Sequence, residues 1–313
     1  MTVHFTETWP EGYAQAYEGY LYNHEAFVQM QRRGITKYRS FYALDALAKS
    51  VLGKVHFFKE DHAENNAYHS PRKSPFGSFE MHAQLTADQI DNFVRFVLKK
   101  LSKEQTNMVH ILHHATVYDP DHTSLLKESL LKAGFTLKAA IPNHHIGVDA
   151  YPLTAKMHSM EKRRLQKCRK AEFSFKEENV SLLSNIYDFV RVCRKERGWG
   201  LSMSLGDLQK TVSAFPENYK LFSVYGGGHR IAATVAIVVN SQILYNFYPA
   251  SLLSYQAYSP TVMLIEGLYQ YCQQKGMELL DLGTSASNSL RLFKTHMGGE
   301  VSFKYDFVWH SSK

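Results

Sequence analysis

The sequence predicts an α/β protein with a mixed sheet, built as two modules. Three observations carry that expectation. Strand-like and helix-like stretches alternate along the chain, short turns join three successive strands in the second half, and all of the net charge lies in that half. Alternation of this kind gives a sheet with helices packed on it. At 313 residues there is length for two cores of ordinary size. With 19 Tyr, 19 Phe and 3 Trp against 9 Pro, a disordered chain is excluded.

The first half opens with a helix expected near Glu11–Arg33. Lys54–Lys59 alternates as a strand. Ser70–Glu80 holds two Ser-Pro steps and Gly77, which forbid one continuous helix. Leu85–Leu101 reads as a helix with Thr86 as N-cap and Ile90, Phe93, Val94, Val97, Leu98 and Leu101 at helical spacing. Met108–Val117 and Thr136–Asp149 read as strands around a helix, His122–Ala133, that stops at Gly134.

In the second half, Pro152–Lys170 reads as a basic helix and Ala171–Lys176 as a short strand. Leu182–Glu196 is an amphipathic helix stopped by Gly198 and Gly200, and Ser204 caps a helix running to Phe215. The strands Tyr219–Tyr225, Ile231–Val239 and Gln242–Tyr248 are joined by Gly226-Gly227-Gly228 and by Asn240-Ser241. Turns that short require antiparallel neighbours. Helix Pro260–Lys275 then crosses to a buried strand, Leu279–Leu282, and helix Asn288–Met297 leads to a last strand, Val301–Trp309. The junction between modules is expected near Asp149–Thr154, and no residue-level repeat relates the two halves.

Residues 1–150 carry 16 Lys+Arg against 16 Asp+Glu, and residues 151–313 carry 20 against 13, so the formal +7 belongs to the second half. A basic half suits an anionic partner such as a phosphate, or is a solvated face; charge does not separate a coenzyme from a nucleic acid. Along Lys162–Lys170 no aromatics interleave with the cations to stack on bases, and apolar positions are too few for a membrane-binding face. No DNA partner is expected. The longest apolar runs, such as Ile231–Val239, are too short to span a bilayer as helices. The opening MTVHFTETWPEGY has neither a basic n-region nor an apolar h-region. Cys168, Cys193 and Cys272 are odd in number and scattered, as in a reducing compartment, so a cytoplasmic location is expected. His110, His113, His114, His144 and His145 lack ligand spacing, and no metal site is expected.

Functional motifs concentrate in residues 155–305. They run in order as Arg163-Arg164, Arg169-Lys170-Ala171, Arg194 with Arg197-Gly198, Ala232-Ala233, Pro260, Asp281-Gly283-Ser285, and Phe293-Lys294 with Gly298. This ordered set resembles the FemABX-like branch of the GNAT (acyl-CoA N-acyltransferase) superfamily. The resemblance implies tandem GNAT-like modules, 1–150 and 151–313, and transfer of an acyl or aminoacyl group from acyl-CoA or aminoacyl-tRNA to a small-molecule or peptide amine. The acceptor is expected to enter a cleft between the modules. Acyl-CoA as donor is compatible with the resemblance rather than required by it. GNAT enzymes hold the pyrophosphate on a Gly-rich loop at a helix N-terminus, whereas Ser254–Thr261 (SYQAYSPT) contains no glycine.

The resemblance places Lys294 against the acyl donor, where an ammonium steadies a developing oxyanion; otherwise it is a solvated basic residue. Asp281 is a candidate to handle the proton, or an anchor for the loop after it. Tyr248 is a candidate hydrogen-bond donor to the leaving group, or a packing residue with a satisfied hydroxyl. Arg291, Ser285 and Phe293 are assigned to donor binding. Arg291 precedes Lys294 by one turn, so the pair forms an anion site or a basic surface stripe. Arg194 and Arg197, at a helix C-terminus, are assigned to an acidic acceptor, or else to a donor phosphate. Phe76, within Ser74-Pro75-Phe76-Gly77, resembles part of an acceptor-side loop. The alternative to an enzyme is a GNAT-like module that binds a ligand or partner without turnover.

Overall fold

The computed structural model describes residues 2–32, 37–59 and 66–311. By its internal contacts the chain divides into two compact units, Met1–Pro142 with Ser302–Lys313, and Asn143–Val301. The expected junction near Asp149–Thr154 gives way to two crossings, at 142/143 and 301/302.

Unit 1 begins with strands β1 (Val3–Thr6) and β2 (Ala14–Gln15), followed by helix α1 (Glu25–Gln31). The expected helix over Glu11–Arg33 is thus confined to its last third, and Arg33 lies outside the described residues. The residues before it are held by tertiary bonds instead: Tyr17 Oη donates to the Glu80 carbonyl (3.2 Å) and the Tyr20 N–H donates to Glu80 Oε1 (2.9 Å). Strands β3 (Lys37–Asp45), β4 (Ser50–Lys59), β5 (Ala67–Ser70) and β6 (Glu80–Met81) lead to helix α2 (Ala87–Ser102). Here Thr86 forms the expected cap, as one half of a capping box with Gln89. Strand β7 (Met108–Ala115), helix α3 (Pro120–Lys132) and strand β8 (Thr136–Gly147) follow.

Unit 2 contains helices α4 (Leu153–Lys156) and α5 (Ser159–Lys170), strand β9 (Ser174–Glu178), and helices α6 (Leu183–Lys195) and α7 (Leu205–Ala214). The single basic helix expected over Pro152–Lys170 is broken at Met157-His158. There the His158 side chain caps α5 through the Met160 N–H, and its own N–H is drawn to the His296 carbonyl (2.8 Å). Strands β10 (Tyr219–Gly226), β11 (His229–Asn240), β12 (Ile243–Asn246) and β13 (Ala250–Ser251) form the meander. Helix α8 (Pro260–Lys275), strand β14 (Leu279–Thr284), helix α9 (Asn288–His296) and strand β15 (Glu300–His310) end the described chain.

The two units share one strand plan. In unit 1 the order is β1-β3-β4-β5-β7-β15, and in unit 2 it is β9-β10-β11-β12-β14 with Asn143–Gly147 of β8 last. Each sheet has three antiparallel pairings, then one parallel (β5 with β7, β12 with β14), then one antiparallel. The sixth strand of each comes from the other side of a crossing, which is why one boundary does not suffice. Phe307 of β15 is buried among Phe41, Phe57, Phe93 and Ile111 in the unit 1 core. The unit 2 core gathers Phe222, Leu244, Val262, Leu268, Leu280 and Met297.

Candidate active site

The parallel pairing of β12 with β14 covers only Ile243↔Leu279, Leu244↔Leu280 and Tyr245↔Asp281. Beyond it the strands are drawn to their other neighbours. On the β12 side, Asn246 pairs with Ala236 of β11 and accepts the Thr234 hydroxyl at 2.7 Å. The N–H groups of Phe247 and Tyr248 both turn to the Val235 carbonyl. On the β14 side, Gly283 and Thr284 pair with His144 and Asn143 across a bulge. At that bulge Gly283 takes φ +75°, open to glycine without strain. The strands therefore part, leaving a cleft of about 830 Å³ lined throughout by unit 2 residues, a size within the usual range of ligand sites.

Three further elements close the cleft. Helix α9, capped by the Ser287 hydroxyl on the Leu290 N–H, presents Leu290, Phe293 and Lys294 along one face. Helix α8 brings Ser259, Pro260 and Thr261 at its N-terminus, with Ser259 in the left-handed region at φ 54°. The end of α6 and the segment after it supply Arg194, Arg197, Trp199 and Ser202.

Lys294 is 7% exposed, and its Nζ donates to the Gly283 and Thr284 carbonyls, each at 2.8 Å. It is neither solvated nor on the surface: the ammonium is fixed at the mouth of the strand gap. Arg194 Nε donates to the Gly200 carbonyl at 3.0 Å, and its guanidinium lies over the Trp199 and Tyr248 rings. Arg197 donates to the carbonyls of Cys193 (3.0 Å) and Ser251 (2.7 Å). Arg39, Arg164, Arg169, Arg191 and Arg230 pair with carboxylates. Neither Arg194 nor Arg197 has a carboxylate within ion-pair distance among the described residues. No Asp, Glu or His is found among the described residues lining the cleft, which is therefore cationic on several walls.

The other expected site residues sit elsewhere. Asp281 is fully buried outside the cleft lining; its Oδ1 accepts the Asn143 amide (2.8 Å) and the Gly283 N–H (2.6 Å), so it anchors the loop. Ser285 turns away from the cleft and bonds His144 Nδ1 at 3.2 Å. Burial, with Lys294 and Arg291 nearby, pushes the His144 imidazole down to about 4. Arg291 is exposed and does not share the cleft with Lys294, because Lys294 turns inward to its two carbonyls. Tyr248 lines the cleft with its ring, but its hydroxyl is engaged by Ser202 Oγ (2.6 Å) and the Met203 N–H (3.1 Å). Burial raises its phenol. It packs with a satisfied hydroxyl.

Phe76 is wholly buried in unit 1, edge-on to Tyr20, Tyr22, His114 and Tyr118. Its loop occupies the place that corresponds to the cleft in unit 2: β5 and β7 stop pairing at Ser70↔Ile111, and the Gly77 N–H then takes the Leu112 carbonyl (3.0 Å). Phe76 is wholly buried beside that gap. His110 bonds Asp306, and His113 bonds Ser78 and Thr123. Tyr245, Trp199, Ser251 and Thr261 line the cleft although the sequence did not single them out. Tyr245 lies against Gly283, and burial raises its phenol. Period-2 spacing with Phe247, on a strand next to a parallel partner, is the signal that would have found it.

A buried cation thus sits at the gap between the parting parallel strands, and two arginines line the same cleft. Residues 155–301 match the family described as Acetyltransferase (GNAT) domain. Among solved structures, FemX superposes with a TM-score of 0.73 at 11% identity, covering 94% of this chain and 93% of that one. The L-PGS of Bacillus licheniformis gives 0.56 at 12% identity over 84% and 82%. A tandem GNAT protein from the clavulanic acid biosynthesis pathway gives 0.51 at 8% identity over 88% and 84%. At such identities the likeness is one of fold alone. No curated protein matches the sequence at a significant level. No helix among the described residues is long and apolar enough to cross a membrane.

Proposed function

We propose that the chain transfers an acyl or aminoacyl group from a phosphate-bearing carrier, acyl-CoA or aminoacyl-tRNA, to an amine. The observation that supports this most is the cleft between β12 and β14, lined by Lys294, Arg194 and Arg197 and by no carboxylate among the described residues. The acceptor amine attacks the acyl carbonyl, a C–N bond forms, and the C–S or C–O bond to the carrier breaks. The Lys294 ammonium faces the charge that grows on the carbonyl oxygen, and its two backbone bonds keep it from needing to reorganise. Arg194 and Arg197 hold an anionic group of the acceptor or of the carrier. With Asp281 enclosed, water in the cleft carries the ammonium proton to the leaving group. Unit 1 is read as a GNAT-like module.

Binding of acetyl-CoA, longer acyl-CoAs and charged tRNA, measured by calorimetry at two salt concentrations, identifies the carrier. Transfer of labelled acyl group to an amine panel then tests the chemistry. Lys294→Ala should lower kcat about 100-fold or more while carrier binding persists; unchanged turnover contradicts its role. The lack of Asp, Glu and His on the described cleft walls favours one alternative, binding without turnover, which carrier binding with no transfer to any amine would support.

A further inference from the structure

We propose that Asp281 and Asn143 are positioning residues for Lys294. This rests on the role given to Lys294 above and explains the spacing Asp281-x-Gly283-x-Ser285…Lys294. Asp281 is fully buried and is not among the residues lining the cleft, and one of its oxygens receives both the Asn143 amide (2.8 Å) and the Gly283 N–H (2.6 Å). The Gly283 carbonyl in turn receives Lys294 Nζ at 2.8 Å. The N–H and C=O of Gly283 flank one Cα held at φ +75°, so fixing the first aims the second. Thr284, whose carbonyl is the second seat of Lys294, pairs with Asn143 across the sheet. Asn143 thus acts on both seats, on one through Asp281 and on the other through the strand register. A shift of a few tenths of an ångström in these carbonyls moves the ammonium by as much, and catalytic geometry is sensitive to displacements of that order.

The first measurement needs no substrate. A buried ammonium hydrogen-bonded to two carbonyls exchanges its protons slowly with water, giving a distinct 15Nζ–1H correlation that Lys294→Ala removes. Asp281→Ala should abolish that correlation or speed its exchange at least tenfold. Asp281→Asn, whose Oδ1 still accepts both bonds, should restore it. If Asp281→Ala fails to fold, as judged by circular dichroism, Asn143→Ala is read in the same way. Unchanged exchange in the folded Asp281→Ala or Asn143→Ala protein overturns the proposal, as does absence of a slowly exchanging Lys294 signal in the unaltered chain. With the carrier found by calorimetry, Asp281→Ala should lower kcat at least tenfold with both KM values within twofold. In a Lys294→Ala background it should lower kcat no further. An additive loss marks a merely structural residue. Full turnover by Lys294→Ala alone refutes the catalytic reading and leaves the exchange result to decide the positioning by itself.

Discussion

Gly283 joins every part of the site at the scale of a single residue. Its φ of +75° is costly for any other side chain, and a Cβ placed there lies 3.1 Å from the Tyr245 ring. Gly283→Ala should therefore cost about 1–3 kcal/mol of stability, read as a lower urea midpoint, from the left-handed backbone and the tight contact together. Turnover should fall more steeply than stability, because the carbonyl that seats Lys294 belongs to this residue. A variant with unchanged midpoint and turnover would show that the bulge relaxes freely. At this scale the sequence reveals chemical types better than their surroundings. Lys294, Phe293, Arg194, Arg197 and Tyr248 all line the cleft. Asp281 does not, because the amide that encloses it belongs to Asn143, 138 residues earlier, and no local pattern encodes such a partner. Tyr248 likewise gives its hydroxyl to Ser202, 46 residues away.

Elements were legible where their ends are written locally. The Thr86–Gln89 box and the Ser204 cap, whose hydroxyl accepts the Asp207 N–H, are visible as residue types at fixed spacing. The break between α4 and α5 and the unwound stretch before α1 were not, since bonds to His296 and to Glu80 decide them. The same distinction governs Arg197. At the end of α6 it reads as a cation favoured by the helix dipole, but in the structure it ties the last turn to β13 through the Cys193 and Ser251 carbonyls. A lysine is a single point donor without the planar fork, so Arg197→Lys keeps the charge and loses the joint. Its affinity for coenzyme A, or for pyrophosphate as a minimal probe, should drop about fivefold to tenfold in calorimetry, close to 1 kcal/mol. Equal affinity would mean that charge alone serves there and geometry does not.

For the molecule as a whole, the tandem organisation agrees with what the resemblance implies, but the crossings that supply each sixth strand escaped the sequence because strand pairing leaves no local mark. β7 meets β15, and β14 meets β8, across long stretches of chain. What composition does carry is an unusual number of histidines, and many are enclosed. Burial, aided by Lys54, pushes the His56 imidazole down to about 3, and burial pushes His114 down to about 4 and His113 well below its ordinary value. All three are in unit 1, whereas unit 2 holds His144 and His145, also lowered chiefly by burial. Between pH 6.5 and about 4 the unfolded imidazole binds a proton that the folded one refuses, so stability is lost as pH falls through that window. For His114 alone the change is about 3 kcal/mol. Glu80, raised by burial, and His122, raised by its bond to Asp119, act in the opposite sense, since each is more readily protonated in the folded state. The imidazoles outnumber them. The melting temperature should therefore fall steeply below about pH 6, and β4 and β7 should lose amide-exchange protection before β10 and β11 do. His56→Gln removes one proton acceptor while leaving a neutral polar group beside Ser40, and should flatten the acid limb. A melting temperature level from pH 7 to 5, or protection lost first from β10 and β11, would mean that these imidazoles do not govern acid unfolding.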